Sequence, residues 1–198
     1  MPHLIRKQAP NFHVTACLPD NTFAEVSLEQ FLGKYVILYF YPADFTFVCA
    51  SETIDFHKNL HEFTNKGAVV LGVSTDTEHV HRAWKITEKA NGGLGTQINH
   101  PLLADVKKEI SRAYDVLLED DGLALRGVFI IDPKGKVRVE MRNDLPLGRN
   151  VEEVLRLLDA LVFTDTNGDQ VCPAGWKKGK PSMTASVAGV TEYLTKYT

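Results

Sequence analysis

The chain has 198 residues, 44% hydrophobic and 24% charged, with a formal net charge of −3, a length that suits one domain of ordinary size plus an extension. A mild negative balance without any block of Lys or Arg excludes the electrostatic footprint of a nucleic-acid or membrane-surface binder. The opening Met1-Pro2-His3-Leu4 begins neither a secretory signal nor a membrane span, so a cytoplasmic protein with no nucleic-acid and no membrane partner is expected.

Tyr35 to Tyr41 is a continuous apolar run rich in β-branched and aromatic residues, as expected of a strand buried on both faces. Ser51 to Lys66 carries Ile54, Phe56, Leu60 and Phe63 at roughly helical spacing and ends at Gly67. Ala68 to Val73 reads as the next strand. Two strands joined by a helix make a parallel βαβ unit. A second helix is expected through Val80, Trp84 and Ile86, then a loop over Asn91 to Asn99, a short strand at Leu102-Leu103 and a helical piece from Ile110 to Leu117.

Leu125 to Asp132 and Lys136 to Met141 flank the turn residues Pro133-Lys134-Gly135 and read as a hairpin. Val151 to Val162 repeats apolar residues at helical spacing, with acids first and an arginine later, in accord with the helix dipole. From about Thr164 the composition shifts to Gly, Pro, Lys, Ser and Thr, which reads as an arm. The sum is an α/β chain with a thioredoxin-like fold, a central mixed β-sheet flanked by helices over residues 1–163 and a C-terminal arm over 164–198.

Cys17, Cys49 and Cys172 lie too far apart for a dense disulfide framework or a Cys-x-x-Cys motif, and the odd count points to chemistry in some of them. Cys49 sits where the apolar strand gives way to a helix. Unpaired amides and the positive end of the dipole at that junction favour a negative sulfur, hence a nucleophile at neutral pH. Pro42 ends the strand and walls the site. Thr46, three residues before the sulfur, brings a hydroxyl within one turn, either as a helix cap or as a group that holds a small polar substrate such as a peroxide against the thiolate.

On Phe45-Thr46-Phe47-Val48-Cys49 with Glu52, on Arg126 in Leu125-Arg126-Gly127-Val128-Phe129-Ile130-Ile131-Asp132, and on Val171-Cys172-Pro173-Ala174-Gly175-Trp176, the chain resembles the typical two-cysteine peroxiredoxins. That family includes the C subunit of alkyl hydroperoxide reductase and the thioredoxin peroxidases. The likeness covers nearly the whole chain. It implies that Cys49 is the peroxidatic cysteine, with Thr46 and Pro42 as pocket partners and Arg126 on thiolate and peroxide. Cys172 is then the resolving cysteine, pairing with Cys49 of a second subunit in a head-to-tail homodimer that assembles to a decamer. Hydrogen peroxide and alkyl hydroperoxides are the implied substrates, and a thioredoxin-like or flavoprotein disulfide reductase the recycling partner. No metal or other cofactor is required.

Arg149, in Asn143-Asp144-Leu145-Pro146-Leu147-Gly148-Arg149, matches a further family motif and is expected either to pair with Glu52 and so orient Arg126, or to be a loop charge. His57 and His61 at i, i+4 read as a solvated face rather than metal ligands. His81 and Trp84 read as packing, Cys17 as structural. Two departures stand out: Ala50-Ser51 replaces the family's Pro-Thr, and Tyr193-Leu194 replaces its Tyr-Phe, beside a preserved Gly92-Gly93-Leu94-Gly95. An altered balance between folded and unwound sites and intermediate sensitivity to overoxidation are expected. Two other readings stay open, a disulfide oxidoreductase and a ring-forming chaperone or holdase.

Overall fold

The computed structural model describes residues 3–95 and 97–197, in two units, Met1–Val151 and Glu152–Thr198. Met1, Pro2, Thr96 and Thr198 lie outside the described residues. The first unit opens with a hairpin that periodicity does not reveal, β1 (His13–Cys17) against β2 (Phe23–Ser27). Its turn is built by Asp20, whose Oδ1 accepts from the Thr22 amide at 3.0 Å and hydroxyl at 2.7 Å. Next comes β3 (Tyr35–Phe40), followed by α1 (Phe47–Lys58), α2 (Leu60–Thr64) and β4 (Ala68–Ser74), which lies parallel to β3.

The single helix expected over Ser51 to Lys66 is therefore two. Asn59 separates them, with φ −92° and ψ 5° and its side-chain amide at 2.9 Å sharing the Asp55 carbonyl with its own backbone amide at 3.1 Å. Further on are α3 (Glu78–Ile86), β5 (Leu102–Ala104), α4 (Glu109–Ala113), and the small hairpin β6 (Leu117–Leu118) and β7 (Leu123–Ala124). The helical piece expected to reach Leu117 ends at Ala113, where Asp115 takes a positive φ of 56°. The expected hairpin forms as β8 (Arg126–Ile131) and β9 (Val137–Asn143), its turn held by Asp132 Oδ1, which accepts from the amides of Lys134 and Lys136 at 2.9 Å each.

Seven strands make one mixed sheet in the order β2-β1-β5-β4-β3-β8-β9. Central β3 is buried on both faces, as its unbroken apolar run requires. Val36, Leu38 and Phe40 enter a cluster with Leu71, Val73, Phe129 and Ile131. Tyr39 points the other way and stacks on Phe56 of α1, ring centroids 4.3 Å apart. Each such side chain contributes about 1.5–3 kcal/mol on burial. Gly72 is needed beside it, since a Cβ there would stand 2.6 Å from the Tyr39 hydroxyl.

The second unit holds α5 (Val151–Thr166), a two-stranded ribbon of β10 (Gln170–Val171) and β11 (Met183–Thr184), and α6 (Val187–Tyr197). Trp176 anchors it: its ring lies 5.0 Å from that of Phe163, and its carbonyl accepts from Arg156 Nη1 at 2.9 Å. Among the described residues no helix is long and apolar enough to cross a membrane.

Candidate active site

Cys49 is the third residue of α1 and has no exposed surface. The chain reaches it from the end of β3 through buried Pro42, which has no N–H to extend the strand ladder. Thr46 occupies the N-cap position with extended backbone, φ −111° and ψ 173°, yet its side chain makes no cap bond. The hydroxyl lies 2.7 Å from the Ala43 carbonyl and 2.9 Å from Cys49 Sγ. A hydroxyl has one proton for these two acceptors. Facing a thiolate it must turn that proton to sulfur, and facing a thiol it can accept from sulfur and donate to Ala43. Of the two roles expected for Thr46, the geometry has the hydroxyl on the sulfur.

Arg126, at the start of β8 and 4% exposed, places Nη1 3.3 Å from Cys49 Sγ and 2.7 Å from Glu52 Oε2. Its Nε donates to the Leu145 carbonyl at 2.6 Å, which fixes the plane of the guanidinium. Glu52, one turn after Cys49 on α1, also accepts from Arg149: the backbone amide and Nε reach Oε1 at 2.8 Å each, and Nη2 reaches Oε2 at 2.8 Å. Arg149 Nη1 donates to the carbonyls of Phe40 and Gly127, and its guanidinium lies over the Tyr39 ring at 5.4 Å. Arg149 is thus no loop charge but a tie between α1, β3 and β8. Buried charges are tolerated only when so fully hydrogen-bonded. One carboxylate against two guanidiniums leaves one positive charge unbalanced beside the sulfur.

The loop before α1 is held by a second buried network, in which His81 does more than pack. His81 Nδ1 meets Asp44 Oδ2 at 2.7 Å and its Nε2 meets the Leu103 carbonyl at 3.1 Å, while the Tyr41 hydroxyl donates to Asp44 Oδ1 at 2.8 Å. Asp76 Oδ2 accepts from the Asp44 amide at 2.9 Å and from the Ser74 hydroxyl at 2.6 Å. Burial opposes charge on His81, but the hydrogen bond and charge of Asp44, with the Leu103 carbonyl, outweigh it and raise the imidazole pKa. Desolvation raises Asp44 as well, so the pair holds its proton tightly and titrates as a unit. Asp44, Asp76 and His81 are close enough to share a cation, within 4.8 Å of one another. Their ligand atoms are already engaged by protein donors, so the cluster reads as an anchor. No local signal announces it, because Asp44 and His81 are 37 residues apart.

The remaining sequence candidates fall elsewhere. Cys172 belongs to the second unit, half-buried, with Sγ 3.8 Å from the Ala160 carbonyl; burial raises its thiol pKa and Arg156 partly offsets this. His57 accepts from the Asn99 amide at 3.2 Å. Gly92 to Gly95 is a packed corner rather than a loose connector: Trp84 Nε1 donates to the Gly92 carbonyl at 3.2 Å, and a Cβ on Gly93 would stand 2.0 Å from the Thr87 carbonyl oxygen.

Residues 5–140 match the AhpC/TSA family, and residues 160–196 match the family described as the C-terminal domain of 1-Cys peroxiredoxin. The chain is 49% identical to peroxiredoxin-2 of Mus musculus, over 98% of this chain and 96% of that one. It is 51% identical to alkyl hydroperoxide reductase C of Helicobacter pylori, over 96% of each. Among solved structures it is similar to the reduced 2-Cys peroxiredoxin of Plasmodium vivax, with a TM-score of 0.95 at 47% identity over 98% of this chain and 100% of that one. The fold is accordingly thioredoxin-like, and neither the oxidoreductase nor the holdase reading is favoured. The chain belongs to the AhpC/TSA family and is a peroxiredoxin, a thiol peroxidase.

Proposed function

We propose that Cys49 is the peroxidatic cysteine, and the observation that carries this is the convergence of Thr46 Oγ1 at 2.9 Å and Arg126 Nη1 at 3.3 Å on its sulfur. A negative sulfur balances the unpaired positive charge of the Glu52, Arg126 and Arg149 cluster. The thiolate attacks the terminal oxygen of hydrogen peroxide or an alkyl hydroperoxide. The S–O bond forms as the O–O bond breaks, sulfur loses two electrons to the peroxide, and the leaving hydroxide or alkoxide takes a proton to give water or an alcohol. Arg126 stabilises charge on the departing oxygen. Thr46 aligns the peroxide between carbonyl and sulfur, and Pro42 closes the wall. Glu52 and Arg149 are positioning residues that act through Arg126.

Cys172, on the arm from residue 164, then condenses with the sulfenic acid of a second subunit to give an intersubunit disulfide and water. A thioredoxin-like or flavoprotein disulfide reductase restores both thiols by exchange. This cycle runs in the cytoplasm in a homodimer that builds a decamer. Support for assembly comes from a Plasmodium yoelii neighbour, 49% identical, whose N-terminally modified form makes an artifactual octamer. Peroxide consumption with each reductase, read beside a non-reducing gel, tests the scheme. Cys172→Ser must abolish the covalent dimer; a dimer that survives it removes Cys172 from the cycle.

A further inference from the structure

Cys17 and Lys85 are two buried nucleophiles that this mechanism leaves unused. Cys17 ends β1 with no exposed surface, and Lys85 lies in the last turn of α3, 3% exposed. Both converge on one atom, the Leu18 carbonyl oxygen, with Nζ at 2.6 Å and Sγ at 3.8 Å. Among the described residues Nζ makes that one hydrogen bond and no ion pair, which is unusual for a lysine so enclosed. Lys85 also lines a cavity of about 350 Å³ with Asn21, Ile86, Glu88, Gly95 and Gln97, while Cys17 lies behind it and does not line the cavity. Burial raises the Cys17 thiol, with Lys85 and Arg82 pulling it back, and burial holds the Lys85 ammonium below its ordinary pKa.

We propose that Cys17 and Lys85 form a peroxide-driven sulfenamide bridge that staples β1 to α3. Lys85 takes the thiol proton, and the thiolate attacks peroxide: S–O forms, O–O breaks, sulfur gives up two electrons, and the hydroxide released takes the proton back from the ammonium. The amine lone pair then attacks the sulfenyl sulfur. S–N forms, S–O breaks, and the second hydroxide leaves as water with a proton from nitrogen, so one thiol, one amine and one peroxide become the bridge and two waters. Because the thiol is mostly protonated, this step is far slower than turnover at Cys49 and needs peroxide in excess.

The test is peptide mass spectrometry on full-length protein after excess peroxide, with denatured-state alkylation. Expected is a peptide joining Cys17 to Lys85, lighter than the sum of its parts by two hydrogen atoms. Trypsin should no longer cut at Lys85, and Cys17 should be lost from the alkylatable pool until dithiothreitol is added. Lys85→Met, which keeps the apolar stem, should consume peroxide at the wild-type rate and show no bridge. Cys17 remaining alkylatable, or recovered as sulfinic acid with Lys85 still cleaved, overturns the proposal.

Discussion

Cys49 and Cys172 carry the same side chain in opposite surroundings. Cys49 has no exposed surface, yet its sulfur meets a hydroxyl and a guanidinium backed by a carboxylate and a second arginine. Cys172 is partly exposed and meets one carbonyl at 3.8 Å, with its thiol raised by burial. Exposure alone therefore does not rank the reactivity of these two cysteines. In the proposed cycle the sulfur that attacks an oxidant relies on charge complementarity and directed donors, and the one that traps a sulfenic acid relies on access.

Replacing each sulfur breaks the comparison most severely. Cys49→Ser should reduce peroxide consumption to the uncatalysed background, whereas Cys172→Ser should keep the first turnover and lose only the later ones, as stopped-flow single-turnover traces would show. Next in size, Arg126→Met should slow the peroxide step by about 10²–10³-fold, the usual cost of one preorganised donor. Arg149→Met strips both side-chain donors, Nε and Nη2, from buried Glu52, leaving only the backbone amide, and should cost about 3–5 kcal/mol in urea unfolding. Thr46→Val should cost about 1.5–3 kcal/mol of barrier, the range for a hydrogen bond to a charged group, and Thr46→Ser should restore most of it.

Buried histidines set the pH dependence of stability. His100 is fully buried with Nε2 2.8 Å from the Tyr39 hydroxyl, and desolvation, then the charges of His57 and Lys85, push its pKa down to about 3. The unfolded imidazole protonates near 6.5 and the folded one does not. Stability is thus full above about pH 6.5 and falls toward pH 3 by at most about 1.4 kcal/mol per unit, a slope that His100→Asn should flatten. His81 has the opposite sign. Its raised pKa adds stability that is complete below about pH 6.5 and is lost as pH rises through the folded value, so unfolding midpoints at pH 6 and pH 9 should converge in His81→Gln.

What the chain discloses on reading depends on how local the cause is. Cys49, Thr46 and Pro42 share one loop, and β3 carries its apolar run without interruption, so both are visible in order along the sequence. Arg149 stands 97 residues from Glu52, and only the folded sheet decides whether it is a tie or a loop charge. The β1–β2 hairpin escapes because its strands are five residues long and partly exposed, too short for a clear alternation. Asn59 shows how one side chain divides an otherwise helical face. His81 demonstrates the converse: a position that reads as packing anchors the loop before α1 through Asp44, a contact no spacing rule encodes.

The most direct measurement is to add one equivalent of peroxide to the reduced protein in the presence of dimedone and map the adduct by peptide mass spectrometry. A sulfenic acid trapped on Cys49, strongly diminished in Arg126→Met and unchanged in Cys172→Ser, is the predicted result. An adduct appearing first on Cys172, or one on Cys49 indifferent to Arg126, would contradict the account.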